Sequence, residues 1–138
     1  MGTRYLTFHR TEPSGNEVRM SPSAYYIDRD CTPVAVRIYA ETAPLVDALV
    51  DIFDDGVSIF CNRTPLDINP VSGVNQSGAA VTAAFLAAGT QSEEAAEDFA
   101  TSIIAEGSWV YATIVCGGSK NFSVQLELHS DDEEVTEA

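Results

Sequence analysis

An antiparallel β-sandwich of the jelly-roll type is the fold this sequence predicts, and three features predict it. Residues 108–128, SWVYATIVCGGSKNFSVQLEL, fall into two strand-like halves around a glycine pair. The first half sets Trp109, Tyr111, Thr113 and Val115 on one face and Val110, Ala112, Ile114 and Cys116 on the other, so a strand buried on both sides is expected. The second alternates Phe122, Val124, Leu126 and Leu128 with Ser123, Gln125, Glu127 and His129, the period of a strand with one wet face. Gly117, Gly118, Ser119, Lys120 and Asn121 suit a tight reversal, so the halves are expected to pair as a hairpin. Second, Val34, Val36, Ile38 and Ala40 share a face against Ala35, Arg37 and Tyr39, which predicts a half-buried strand. Third, Asp55-Gly56 stands between two apolar runs, a strong short-range hairpin signal.

The remaining elements follow in chain order. Residues 1–23 mix apolar points (Tyr5, Leu6, Phe8, Val18, Met20) with a Pro13-Ser14-Gly15-Asn16 turn and show no helical period. They are expected to form an extended arm or a loose hairpin that lies on something else. A short strand is expected near 24–28. Between Thr42 and Phe60 two readings compete. Leu45, Val46, Leu49, Val50 and Phe53 would make one stripe of a helix behind Thr42 and Pro44. The pattern favours the other, a hairpin of 49–53 and 57–61 about Asp54-Asp55-Gly56. Residues 62–78 are too rich in Pro, Gly, Asn and Ser for more than a surface loop or sheet crossing, and 79–88 suit a strand or a short helix. Thr90 and Glu93 fit a capping box, with Glu94, Glu97 and Asp98 behind them, so a short helix to about Ala100 is expected. The layout is thus an arm over 1–23, a sandwich over 24–129 with at most one or two short helices, and an acidic tail over 130–138 expected to be disordered unless a partner holds it.

Composition narrows function. At 138 residues and 45% apolar, the chain suits one domain with a core, and no stretch approaches bilayer-spanning length. The opening MGTRYLTFHR has no signal-peptide h-region, and Leu6 breaks the myristoylation pattern. Cys31, Cys61 and Cys116 form no C-x-x-C pair and adjoin apolar runs, so reduced, buried thiols are expected, with one bridge and a spare thiol as the alternative. Without a secretory signal, the sequons at Asn62, Asn75 and Asn121 are expected to be chance. Seven basic against twenty-one acidic residues give −14, divided as +1 over residues 1–40 and −15 over 41–138. Such a body repels phosphate backbones and anionic lipid, so neither nucleic acid nor membrane is an expected partner.

Candidate chemistry is sparse. His9 and His129 are the only histidines, and neither stands in a nucleophile motif. Asp51, Asp54 and Asp55 lack the spacing of a calcium loop, and turn chemistry accounts for Asp54 and Asp55. Acids at a helix start account for Glu93 to Asp98, and Gly117 to Lys120 precedes a strand where a phosphate loop needs a helix. No catalytic residue, cofactor or metal is therefore expected. Trp109 and Tyr111 would stack on sugar rings if exposed, but their strand predicts core packing. Arg4, Tyr5, Phe8, Arg10, Arg19, Tyr25 and Tyr26, arginines and aromatics in an extended segment, are the residues expected to dock a partner.

Three stretches, 40–66 (AETAPLVDALVDIFDDGVSIFCNRTPL), 103–115 (IIAEGSWVYATIV) and 121–128 (NFSVQLEL), resemble the small β-sandwich proteins of tailed-bacteriophage virions. Ala43-Pro44, Asp55-Gly56, Arg63 with Pro65, Glu106-Gly107 and the alternation of 124–128 carry the resemblance, over roughly half of the chain. Ser108 departs from the family's usual Asp, and the arm and tail have no counterpart in the pattern. The resemblance implies a non-enzymatic virion protein (fibre, tail, neck or capsid decoration) assembled in the bacterial cytoplasm, homo-oligomeric and docked on a capsid or tail protein. A carbohydrate-binding or receptor-recognition sandwich holding host-surface glycan is the alternative expectation.

Overall fold

A computed structural model describes residues 2–13, 18–45, 48–60, 73–74, 80–81, 84–96, 99–115 and 120–130. In chain order the strands are β1 (Gly2–Arg10), β2 (Val18–Arg19), β3 (Tyr25–Tyr26), β4 (Thr32–Thr42), β5 (Ala48–Asp54), β6 (Val57–Ser58), β7 (Gly73–Val74), β8 (Ala80–Val81), β9 (Ala84–Leu86), β10 (Ser92–Ala96), β11 (Trp109–Val115) and β12 (Lys120–Ser130). Two antiparallel sheets carry the fold. Sheet A runs β1-β12-β4-β10, and sheet B runs β2-β11-β5-β6 with β3 also on β11 and β9 also on β5. β7 and β8 pair with each other. No helix occurs among the described residues, and none of membrane-spanning length and apolarity.

The sandwich follows from strand periodicity. On β12 the inward set Phe122, Val124, Leu126 and Leu128 is fully buried while the residues between them are half-buried, as the alternation requires. Across the core, Val50 and Ile52 of β5 and Val110, Ala112 and Ile114 of β11 meet Val36, Ile38 and Ala40 of β4. Met20, Ile27, Phe60, Phe99 and Ile104 join that core. On β4 the expected face is kept from Val36 onward. A bulge where the pairing passes from Glu127 to Leu128 turns Pro33 inward and leaves Val34 half-buried.

The hairpin reading of 49–60 holds. Phe53 pairs with Ser58 and Asp54 with Val57 across a two-residue turn. Asp55 at φ 49° and Gly56 at φ 90° give both turn positions the positive φ that a twisted hairpin needs. Two other expectations fail. Residues 109–115 and 120–130 do not form a hairpin: β11 pairs with β5, β2 and β3 in sheet B, while β12 lies between β1 and β4 in sheet A. Polar and glycine residues serve a crossing between sheets as well as a tight turn, and each strand finds a longer partner elsewhere. Residues 116–119, between them, lie outside the described residues. The helix expected from Thr90 is replaced by β10, whose Ser92, Glu93 and Glu94 pair with Tyr39, Ile38 and Arg37. A free edge on β4 offers backbone partners that outweigh a short capping signal.

The N-terminal segment is extended, as expected, but does not stand apart from the body. β1 pairs with β12 over its whole length, from Gly2 opposite Ser130 to Arg10 opposite Phe122. Leu6 and Phe8 are buried in the common core. The period-two pattern of β1, with Thr3, Tyr5, Thr7 and His9 exposed and Leu6 and Phe8 inside, makes it a structural strand. Cys31 is buried, its thiol donating to Arg29 O at 3.1 Å. Cys61, Cys116 and the 130–138 tail beyond Ser130 lie outside the described residues, as do Asn62, Asn75 and the turn at 14–17.

Candidate interaction surface

Of the seven residues expected to dock a partner, the fold leaves two with exposed rings. Phe8 is fully buried and meets the ring of Tyr25 edge-on at 5.3 Å, so neither it nor the packed face of Tyr25 is open to a neighbour. The Tyr25 hydroxyl donates to Thr7 O at 2.8 Å. Arg10 Nη1 donates to Arg19 O at 3.1 Å, and Arg19 Nη1 to Ser23 O at 2.9 Å. The Arg19 guanidinium also lies 3.6 Å from the centre of the Tyr111 ring, a cation–π contact. The two hydrogen bonds brace the segment internally, at carbonyls that the strand ladders leave unused, and the contact with Tyr111 of β11 ties it to the body. Arg4 pairs with Asp28 at 3.5 Å and donates to Tyr26 O at 3.3 Å. Tyr5 and Tyr26 remain exposed, at 53% and 48%.

Trp109 is the main correction. Its strand predicted core packing, yet it is 53% exposed. It opens β11, where the partner is the two-residue β3, and it points to the side of sheet B away from the core that Val110 enters. Trp109 stands opposite Tyr26 in register, so both rings project from one face, with centroids 5.2 Å apart at 60°. The backbone beneath them is clamped. Trp109 N donates to Asp55 Oδ1 at 2.9 Å and Asp55 N to Trp109 O at 3.0 Å. On the other side Ile27 N donates to Ser108 O at 2.9 Å and Gly107 N to Ile27 O at 2.8 Å. Gly107 reaches φ 93°, which its lack of a Cβ permits. An edge-to-face aromatic pair on a fixed backbone presents apolar area and an indole N–H with little ordering left to do on binding.

Asp54 ends β5 opposite Val110, on the face of sheet B away from the Trp109 ring. Its Oδ1 is buried without a hydrogen-bond partner among the described residues. Burial pushes its carboxyl above the usual range, the Ser108 hydroxyl partly offsets that, and the Asp55 charge adds to the rise. Asp51 lies on the opposite face of β5, where Oδ1 accepts from Ser58 Oγ at 2.5 Å and from Ile52 N at 2.9 Å. With Asp55 turned to the Trp109 amide, the three acids do not converge, and no metal-ligating cluster occurs among the described residues.

The outer face of sheet A carries a second polar array that the sequence did not single out. Arg37 Nη2 meets Glu127 Oε1 at 2.9 Å, Arg37 Nη1 donates to Gln125 Oε1 at 3.2 Å, and His129 Nε2 lies 2.8 Å from Glu127 Oε2. The His129 contact first, then Arg37, holds the Glu127 carboxyl below its usual range. Tyr39, 49% exposed, borders a shallow hollow with Thr7, Ser92 and Ser123. Alternation marked Arg37, Gln125, Glu127 and His129 as a wet face. Only the β4–β12 register brings residues 88 positions apart together. His9 approaches the Thr11 hydroxyl at 3.5 Å and belongs to neither array. Comparison of the chain with protein-family models, curated proteins and solved structures gives no match.

Proposed function

We propose that this chain is a non-enzymatic structural component of a tailed-phage virion that self-assembles and docks on a capsid or tail protein through the Tyr26–Trp109 platform. The virion setting is supported by the sequence resemblance over 40–66, 103–115 and 121–128. The docking role rests on one observation: two adjoining aromatic rings, each about half exposed, fixed from both sides by backbone hydrogen bonds. Aromatic anchors of this kind dominate binding at interfaces because they bury large area at small entropic cost. The test is mass spectrometry of gradient-purified particles from the source culture. The chain should be present in many copies, and Trp109→Ala with Tyr26→Ala should cut incorporation by about tenfold or more. Particles that lack the wild-type chain would overturn the virion reading.

A second reading is favoured by the exposure of Trp109 itself: the platform holds a host-surface sugar ring stacked on an aromatic face. Titration of mono- and oligosaccharides against tryptophan emission tests it, since Trp109 is the sole tryptophan. Saturable quenching abolished by Tyr26→Ala would support the sugar, and a flat response across the set would remove it.

A further inference from the structure

We propose that two copies of this chain join through the free edge of β1, making one continuous sheet of eight strands about a two-fold axis at Tyr5. The inference rests on the self-assembly half of the reading above and says where that assembly occurs. β1 borders sheet A, with β12 on its inner side. In an antiparallel strand the backbone groups of alternate residues point to opposite sides. His9 N donates to Ser21 O at 2.7 Å and His9 O accepts from Ser21 N at 2.8 Å on the side away from β12, so Thr3, Tyr5, Thr7 and His9 direct their N–H and C=O groups outward. The Tyr25 hydroxyl on Thr7 O confirms that direction. His9 is thus satisfied within the chain. Thr3 and Tyr5, and the N–H of Thr7, have no partner among the described residues.

An open edge invites another strand, and proteins normally blunt it. The other edges of the two main sheets are blunted. β2, β3 and β6 have two residues each, β9 has three, and β10 has five with a bulge and two glutamates in its sequence. β1 has nine residues and no bulge, proline or lysine. Its composition argues for a second copy over an unrelated strand. In a chain of net charge −14, β1 holds Arg4 and Arg10 and no acid, so it is the strand along which two such bodies meet with least repulsion. Centring the pair on Tyr5 places Tyr5 opposite Tyr5, Thr3 opposite Thr7 and Arg4 opposite Leu6. The three outward residues then exchange their N–H and C=O groups completely, and the two exposed tyrosine rings lie side by side. Thr7 O has a second lone pair for this while keeping the Tyr25 hydroxyl.

A small edge contact associates weakly, so dimer should fill in between about 10 and about 300 μM by sedimentation velocity. Added salt should strengthen it by screening the acidic bodies, the reverse of what an arginine-to-acid attraction would give. Amide exchange read by NMR should slow with rising concentration at Thr3, Tyr5 and Thr7 and at no other residue of β1. Tyr5→Lys, which sets two like charges face to face on the axis, should weaken dimerisation by about tenfold or more, and Tyr39→Lys on the same sheet face should leave it unchanged. A dimer whose Thr3, Tyr5 and Thr7 amides stay unprotected would overturn the β1 edge while leaving self-assembly intact. A wild-type chain that is monomeric throughout this range would overturn the pairing, and the incorporation experiment with Trp109→Ala would still decide the docking role. Should Tyr5→Lys fail to fold, the exchange pattern of the wild-type protein decides alone.

Discussion

Replacing Phe8 by alanine tests whether the N-terminal segment is part of the core or a strap laid upon it. Phe8 is fully buried, stands opposite Val124 in the β1–β12 ladder, and packs edge-on against Tyr25 at 5.3 Å. Truncating a buried phenylalanine removes its transfer free energy and leaves a cavity, which together cost about 3–5 kcal/mol. Total stability for a domain of this size is on the order of 5–15 kcal/mol, so the variant should lose about a fifth or more of it. A loss of that size lowers the melting temperature by roughly 10–20 °C. Urea unfolding followed by circular dichroism gives the free energy, and an unchanged m-value would show that the variant starts from the same folded state. Removing residues 1–23 deletes Leu6, Phe8 and Met20 from the core and strips β12 of one neighbour, so the shortened chain should not melt cooperatively. A Phe8→Ala variant within about 0.5 kcal/mol of wild type, or a cooperative melt of the shortened chain, would refute the placement of β1 in the core.

Other perturbations give outcomes of different kind. Acrylamide should quench the emission of Trp109 efficiently, because the ring is half exposed, and partner binding should shield it; a quenching constant typical of a core tryptophan would contradict the platform. Ser58→Ala strips a donor from the buried Asp51 carboxylate and should cost about 1–3 kcal/mol in urea unfolding. Asp54 and Glu127 should act on the pH profile with opposite sign. The folded state holds the Asp54 proton more tightly than the unfolded chain, so stability falls as pH rises from about the ordinary 3.8 through the raised value, and Asp54→Asn should be more stable than wild type at neutral pH. Glu127 ionises more readily in the fold, so its contribution is present above the ordinary 4.5 and is lost as pH falls through the lowered value. Glu127→Gln should therefore be less stable than wild type at neutral pH and match it in strong acid.

What the sequence disclosed, and what it hid, follows from the range of each signal. The β5–β6 hairpin was legible because the signal and the structure occupy the same four residues: Asp55 and Gly56 adopt the positive φ that their types favour. The wet face of β12 was legible because alternation is a property of one strand alone. Pairing is different, since it is decided by partners far away in the chain. Gly117 to Asn121 fit a hairpin and a crossing alike, and only the longer ladders that β11 and β12 form with β5 and β4 choose between them. The capping box at Thr90 was a local signal overruled by a distant edge, that of β4. Trp109 was misplaced for a related reason: its strand is apolar on both faces, but alternation does not tell how far the outer face of a sheet is covered, and at Trp109 and Tyr26 that face is open.

The surface follows a division that the sequence expressed as charge. Five of the seven basic residues fall within 1–40, and the structure uses them on short-range tasks: Arg4 on Asp28 and Tyr26 O, Arg10 on Arg19 O, Arg19 on Tyr111 and Ser23 O, Arg29 on Asp28, Arg37 on Glu127 and Gln125. Arg4, Arg10, Arg19 and Arg37 reach from one element to another, where the fork of donors meets carbonyls and carboxylates that a lysine's point charge would satisfy less completely. The acids are left in excess, which keeps copies of the body apart. Contact between copies then favours places that are uncharged or basic, and two such places lie close together: the β1 edge, and the Tyr26–Trp109 rings to which β1 is linked by the bond from Arg4 to Tyr26 O. A strand docked along β1 would border Arg4 directly, so the edge and the aromatic platform meet through one side chain, and whatever orders Arg4 at the edge also fixes the backbone beneath Tyr26.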